Sequence, residues 1–573
     1  MSDPLGSATS PSAPPTPRAF SWLGFAASIL VLGIAHALTW QSSEPYFNND
    51  ETRHVMTGVF FHDLLRDLPL GHLRSYVVSY YLQYPALGLL VWPPLFHGAL
   101  GAFMLVFGTS YAAARILLNL FCVLAFFWLF LLVRRTHGTV AAAVSVLLFG
   151  LSPMVFELSH HVMLEMPALA FALGAVYHFV LYLDVGRRRD IYLAAAAASA
   201  FALARYDGFF LLLFFGISLL GLRRFDVLRR RDAWFAAILA IVIVVPIYAP
   251  MLAEFGKTHL LVTAQQGPDG KGRHLLDALS FYPRNLGRSI GVPTALLGLV
   301  GLLAALRPER RRACWPYLAL AGATYIAFTP LAELQARHSI YWVPAFALFA
   351  VEGSRWLAGR LRLAENRTNV AGVGVFGAII AILVGFAFWR AVSGSVRYVR
   401  GYEAAARYVL ANTHESRFTF IDGFLNGDFI YQIRRHDPEG RLWILRGDKL
   451  LYGVLNDPRG GYQEYAGGNG GDGAILNTLY RYDPELIVVE NPQVGFEIPM
   501  AERLRQVLAG HPERFARVRS FPILTNVKTF AGARLDIYRS LLRNPNPEHR
   551  IAFGMMGLGH SLGVELPPVK KRS

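Results

Sequence analysis

The chain has 573 residues, of which 54% are hydrophobic and 16% charged, with a formal net charge of +16. That balance excludes an ordinary water-soluble enzyme and describes a membrane protein with polar segments attached. It also points away from nucleic acid, because the arginines stand in short runs between apolar stretches, as in Arg187-Arg188-Arg189, Arg229-Arg230-Arg231 and Arg310-Arg311-Arg312, the signature of cytoplasmic loops. Cys122 and Cys314 both lie inside apolar spans, so neither a disulfide framework nor a zinc site can be built from them.

Residues 1–19, rich in Ser and Pro, cannot bury a core and are expected to form a disordered cytoplasmic tail. A charge-free run from about Phe20 to Thr39 comes next and reads as an anchor helix rather than a removed signal. The long segment 41–110 is then expected to be a first extracytoplasmic loop with interfacial helices, and it opens on Asn49-Asp50-Glu51-Thr52-Arg53-His54. Within it, Pro93 to Gly108 is short and starts Trp-Pro-Pro, which favours an interfacial or re-entrant element over a crossing. With that choice nearly every arginine run falls on one side of the membrane.

Further spans are predicted at about 111–133, 138–156, 166–184, 190–204, 206–222, 233–250, 290–306, 314–331, 340–357 and 369–390, giving about eleven crossings in a polytopic all-α domain over 20–390. The other side of the bilayer receives the 41–110 loop, the turn His160-His161-Val-Met-Leu-Glu165-Met-Pro167, the turn Arg205-Tyr206-Asp207, the 251–289 loop and the stretch Glu333 to His338. The odd span count places the residues beyond Trp389 on that side too. Residues 391–545 alternate helix-like and strand-like patterns: helices at 402–410, 428–434, 475–481 and 501–509, strands at 418–422, 442–445 and 486–490. This is the cadence of a C-terminal extracytoplasmic α/β domain with a short, largely parallel sheet. The glycine-rich stretch 460–471 reads as a loop, and 546–573 as a flexible tail.

The polar groups that collect on the extracytoplasmic side define the candidate site. Asp50, Glu51 and Glu165 are the candidate catalytic acids; Arg53, His54, His161, Arg205, Arg337 and His338 are candidate substrate-binding groups. Each also has a plain structural reading. Asp50 and Glu51 suit a helix N-terminus, Glu165 can cap the span it precedes, and Asp63 and Asp67 are expected to be solvated on an amphipathic stretch. His160 and His161, adjacent in sequence, project from different faces of a helix, which argues against joint metal chelation. An arginine at a membrane interface is costly without a phosphate or carboxylate partner, which makes Arg205 and Arg337 candidates for holding one.

Several short patterns occur in a telling order: Asn49-Asp50-Glu51-Thr52-Arg53-His54, then Pro93-Pro94-Leu95 and Phe107-Gly108, then Ala113-Ala114-Arg115. Ser152-Pro153 and Glu165-Met166-Pro167 come after, and a late Arg337-His338-Ser-Ile-Tyr341-Trp342-Val-Pro344 closes the series. Over roughly 20–350 this order resembles the GT-C superfamily of glycosyltransferases, and is most similar to its protein O-mannosyltransferase and aminoarabinose transferase branch. The second acid is Glu here where Asp is frequent in that branch, and His338 stands where Tyr is common.

The resemblance implies an inverting transfer of a sugar from a polyprenyl-phosphate donor, with Asp50 as base, in a bacterial inner membrane and with the active site facing outward. A carboxylate would deprotonate the acceptor hydroxyl and cations would hold the departing phosphate. The acceptor, whether glycan, lipid or protein, is not specified, and a divalent metal cofactor is left open because metal dependence varies within the superfamily. Two other classes compete. A secondary transporter would show internal repeats and mid-span ionisable groups, neither of which is evident. A non-catalytic scaffold would have no need of intact acidic motifs.

Overall fold

A computed structural model describes residues 18–40, 49–89, 91–264, 275–331, 334–364, 369–456, 462–465, 471–495, 498–554 and 561–566. Lys271 and Arg273, alternative phosphate holders in the 251–289 loop, lie outside the described residues, as do residues 1–17 of the N-terminal tail and most of the glycine-rich stretch.

Among the described residues, four helices are long and apolar enough to cross a membrane unaided: Tyr111–His137, Glu165–Val185, Arg231–Ala253 and Gly372–Ser393. The shorter apolar helices Trp22–Leu38, Leu95–Phe107, Thr139–Gly150, Tyr206–Gly221 and Val292–Ala305 accompany them. The about eleven crossings expected from hydrophobicity are therefore not reached by length and composition, and the reason is local. The predicted span 138–156 breaks at Leu151 and Ser152, because Pro153 begins a separate short helix, Pro153–Leu158. The predicted spans 190–204 and 206–222 are separate helices, as expected, but short ones, Arg188–Ala204 and Phe209–Gly221. Helices Arg231–Ala253 and Gly372–Ser393 expose most of their apolar surface, with Trp234, Phe235, Ile238 and Ile382 uncovered. Such surface is stable against lipid and not against water.

Bundle helices pack through close backbone approach. Val292–Ala305 and Val343–Ala364 meet where a Cβ on Gly301 would strike the Phe349 carbonyl and one on Gly353 the Leu297 carbonyl. Small residues at such crossings let dispersion contacts hold helices together in lipid, where the hydrophobic effect does not.

The bundle has two chemically distinct ends. At one, Arg135 pairs with Asp184, Arg230 with Asp232 and the Gly186 carbonyl, Arg310 with Glu352, and Arg355 with Glu352 and the His137 carbonyl. At the other lie Glu51, Tyr111 and Glu165. Helix Glu165–Val185 carries Glu165 at its start and Asp184 at its finish, so the arginine runs and the candidate acids sit at opposite ends.

The C-terminal region carries a five-stranded mixed sheet in the order 443–446, 418–422, 486–491, 534–540, 515–522. The first three strands are parallel, as the sequence predicts; Arg534–Ser540 and Phe515–Pro522 add two antiparallel strands that the sequence does not announce. Central strands Phe418–Asp422 and Leu486–Asn491 are near-continuous apolar runs because both faces are covered. Arg550–Gly554 and Ser561–Glu565, expected in a flexible tail, pair as an antiparallel hairpin against the helix Leu73–Gln83, where Tyr81 meets Phe553.

The first-loop helices Asn49–Asp67, Leu73–Gln83 and Leu95–Phe107 share one core with this domain, Val55, Met56, Tyr80 and Leu100 joining Phe420, Phe429 and Val488, and that core takes in Tyr111, Ala114 and Leu117 at the start of bundle helix Tyr111–His137. Asp63, expected to be solvated, is instead buried beneath helix Asn426–His436. Arg434 donates to both its oxygens at 2.7 and 3.0 Å, and Tyr80 adds a third bond at 2.6 Å. Gln83 bonds the Gly440 carbonyl at 2.7 Å and Tyr431 the Thr109 carbonyl at 2.9 Å.

Gly353→Val should push the two bundle helices apart. The expected loss is about 1–3 kcal/mol, the usual cost of overpacking, read as a lower melting temperature of the purified protein in detergent; an unchanged melting temperature would contradict the close crossing.

Candidate active site

Helix Asn49–Asp67 presents its first turn to the acid-bearing end of the bundle, with Asp50 and Glu51 where the free backbone N–H groups favour carboxylates. The two acids then part. Glu51 is fully buried: Tyr111 donates its hydroxyl, the Val162 N–H donates at 2.8 Å, and His161 Nδ1 lies 3.3 Å from Oε2. Asp50 is 28% exposed and faces Arg337, with Nη2 and Oδ2 3.4 Å apart.

Asp50 begins a row of alternating charge. Arg337, on the 3₁₀ turn Ala336–Trp342, reaches both Asp50 and, at 3.6 Å, Glu165. Glu165, at the start of its helix and buried, pairs tightly with Arg205. Arg205 Nε also holds Asp207 at 2.6 Å, and Asp207 accepts the Tyr341 hydroxyl at 3.0 Å. The row therefore holds three carboxylates and two guanidinium groups. Asp50 and Arg337 form its accessible edge, while Glu165, Arg205 and Asp207 are buried behind them.

Arg337 is the member loosely paired with acid: its Nε donates to the Gln335 side chain, but its Nη groups lie 3.4 and 3.6 Å from carboxylates, beyond a good hydrogen bond, whereas Arg205 is gripped by acids on two sides. A group held that way can turn toward an incoming anion.

The remaining candidates are distributed around this row. His161 braces Glu51. His160 points elsewhere, bonding the Phe156 carbonyl at 2.7 Å and Thr39 at 2.9 Å, as expected of neighbours on different faces. His54 is buried against Trp92 and bonds His97 at 3.0 Å; burial first, then the surrounding cations, push its pKa well below the usual histidine range, so it is neutral at pH 7. His338 stacks on Phe328 at 5.5 Å. Arg53 lies outside the row, toward the C-terminal domain. Arg115 of the Ala-Ala-Arg pattern stacks over Trp40 at 3.9 Å. Two members of the row, Asp207 and Tyr341, are not among the residues that sequence reasoning singles out; the available signal for Asp207 is an acid two positions after Arg205 in the same inter-span turn. Among the described residues, no group of three or more His, Cys, Asp or Glu is placed to hold a metal ion.

Comparison with known proteins fits this geometry. Residues 92–249 match the family model described as dolichyl-phosphate-mannose-protein mannosyltransferase. The fold is similar to the crystal structure of ArnT from Cupriavidus metallidurans bound to undecaprenyl phosphate, with a TM-score of 0.59 and 14% identity over 92% of this chain and 99% of that one. It is also similar to an oligosaccharyltransferase from Archaeoglobus fulgidus in complex with zinc and sulfate, with a TM-score of 0.52 and 13% identity over 81% of this chain and 68% of that one. A search of curated proteins finds no sequence match. The chain thus carries a mannosyltransferase-like segment at 92–249 within a fold that it shares with these two structures.

The buried centre of the row and its exposed edge should respond differently to mutation. Glu165→Ala leaves Arg205 facing one carboxylate and should destabilise the fold by about 3–5 kcal/mol, the usual cost of breaking a buried pair. Asp50→Asn, at the accessible edge, should unfold close to the wild-type temperature. Equal melting temperatures for the two variants would contradict the burial of the row.

Proposed function

We propose that the chain is a membrane glycosyltransferase of the GT-C superfamily, moving a sugar from a polyprenyl-phosphate donor to an extracytoplasmic acceptor hydroxyl with inversion at the anomeric carbon. The observation that carries the reading is Asp50, a partly exposed carboxylate on the first turn of a rigidly clamped helix, facing a loosely held arginine. The undecaprenyl phosphate bound to ArnT in the similar crystal structure, and the dolichyl-phosphate donor in the name of the matching family, support a lipid-phosphate partner.

In the resting site Arg337 faces Asp50 and Glu165. A donor phosphate offers it a stronger, bidentate partner. As Arg337 turns to the phosphate it leaves Asp50 Oδ2, which is then open to the acceptor hydroxyl. Asp50 then takes the proton of the acceptor hydroxyl, the oxygen attacks the anomeric carbon, and the bond to the phosphate oxygen breaks with its electron pair leaving on phosphate. Arg337 absorbs that charge, with Arg205 fixing Glu165 behind it. Glu51 orients Asp50 by anchoring the helix, and His54, neutral, packs beneath.

The same reading puts the protein in a bacterial inner membrane. The arginine-rich end lies in the cytoplasm, following the positive-inside rule, and the acid row and C-terminal domain lie outside. The acceptor is a glycan, lipid or protein on that face.

With labelled polyprenyl-phosphate sugars and the purified protein, transfer would be followed as release of the lipid phosphate. Asp50→Asn should lower the rate by roughly 10²–10⁴, the range for loss of a general base, and Arg337→Lys should raise the donor KM without full rescue because an ammonium lacks the two-pronged fork. Near-normal turnover in Asp50→Asn removes it from the mechanism.

Sidedness has its own test. Cys122 and Cys314 are buried, so an added cysteine is the site a thiol reagent reports. Glu513, whose side chain is 62% exposed in the C-terminal domain, should be labelled as Glu513→Cys by an impermeant reagent added to intact cells. Labelling only after lysis would invert the topology.

A further inference from the structure

A second group of charges lies beside Asp50, outside the acid row. Arg53 stands one helical turn further along the same helix and is half-buried. Opposite it, the short turn Gly447–Leu450 follows strand Trp443–Arg446 at the carboxyl edge of the parallel strands. In open α/β sheets that edge is where ligands bind. The turn brings Arg446, Asp448 and Lys449 up to the first loop, with Arg446 bonded to the Pro85 carbonyl.

Asp448 is fully engaged. Arg446 donates to both of its oxygens, through Nε at 2.8 Å and through Nη2. Among the described residues, the side chains of Lys449 and Arg53 make neither a hydrogen bond nor an ion pair, so three cations share one carboxylate. The charged groups acting on Lys449 are Arg446 and Asp448 from its own turn and Arg53 from the first-loop helix. Tyr81 and Tyr452 are close to Arg446, and burial raises both phenols so that they stay neutral. Burial, then Arg446, push the Lys449 amine down to about 8. Half-buried cations without partners favour an anion, which would replace lost water and cancel their repulsion.

We infer that Arg53 and Lys449 form an oxyanion-binding site that recognises a phosphate or carboxylate carried by the acceptor. The inference rests on the proposed transfer, in which the donor phosphate belongs to Arg337 on the bundle side of Asp50. An inverting displacement puts nucleophile and leaving group on opposite sides of the anomeric carbon. Cations on the C-terminal-domain side of Asp50 therefore fall with the nucleophile. The acceptor is then an acidic molecule that the C-terminal domain holds while Asp50 takes its hydroxyl proton.

The lysines of this chain are Lys257, Lys271, Lys449, Lys528, Lys570 and Lys571, so acetylation of Lys449 can be followed individually by mass spectrometry. The full-length purified protein would be treated with acetic anhydride at pH 7 with inorganic pyrophosphate, with polyprenyl phosphate, or with neither. Pyrophosphate should suppress labelling of Lys449 while the exposed Lys528 labels as before, and polyprenyl phosphate should give no protection. Only the ammonium form binds an anion, so protection should fade as pH rises through 8 toward 9. Arg53→Gln removes one depressing cation, so Lys449 should label more slowly at pH 7 and gain less protection. Protection by polyprenyl phosphate alone would assign these cations to the donor, and equal labelling under all conditions would leave no anion site; either overturns the inference. Failure of the transfer reading itself would appear separately, as absence of lipid-phosphate release.

Discussion

The site depends on one helix held at both ends. Glu51 draws the first turn of Asn49–Asp67 into the bundle through Tyr111, His161 and the Val162 N–H, and Asp63 draws the last turn under Arg434 of the C-terminal domain. A buried carboxylate needs its charge matched and its lone pairs filled, and both acids achieve this with partners from distant parts of the chain. Only after these two anchors are made does Asp50, between them and the solvent, acquire a fixed position. The C-terminal domain therefore helps to place the helix that carries Asp50. Its core is continuous with that of the first loop, and Arg397 ties it directly to Glu157 of the bundle as well.

The acid row shows how charge can be concentrated at a membrane surface without collapse. Glu165, Arg205 and Asp207 are matched tightly and buried, forming a rigid floor. Arg337 and Asp50 are matched loosely and left partly open. Tight pairs cost a great deal to separate, so on the proposed reading an anion would compete for the loose one. Arg205 and Arg337 look alike in sequence, and only the fold sets one into the tight floor and the other at the open edge.

Much of this was legible in the sequence, and the exceptions have physical causes. Hydrophobic runs located the helices, and the order of short patterns singled out Asp50, Glu165 and Arg337. The parallel strands were readable because burial on both faces leaves unbroken apolar runs. Strand Phe515–Pro522 was not, because it lies at the sheet edge with Arg517 and Arg519 facing out, a pattern easily taken for a loop. The hairpin at 550–565 hid for a related reason, its first strand following a Pro- and Asn-rich stretch that reads as disorder. Asp63 looked solvated because its basic neighbours in sequence, His62 and Arg66, suit an exposed helix face and give no sign of burial; the partner that buries it is Arg434. Its partner is 371 residues away, a separation that local pattern does not bridge. The turn at Arg205 was legible between the two apolar runs it separates, whereas the break at Pro153 was not, because hydrophobicity continues there but the helix does not.

That separation also has a meaning in time. A chain emerging at ~5–20 residues per second needs about 20–70 s to travel the 371 positions from Asp63 to Arg434. Through that interval the first loop has been made, yet the ion pair that seats it does not exist, and most of the core it shares with the C-terminal domain is still unsynthesised. The helix carrying Asp50 cannot settle until the sheet arrives. Completion of the chain is thus the event that assembles the site, and a nascent fragment ending before the C-terminal domain would sit in the membrane with its acids present but its geometry unset.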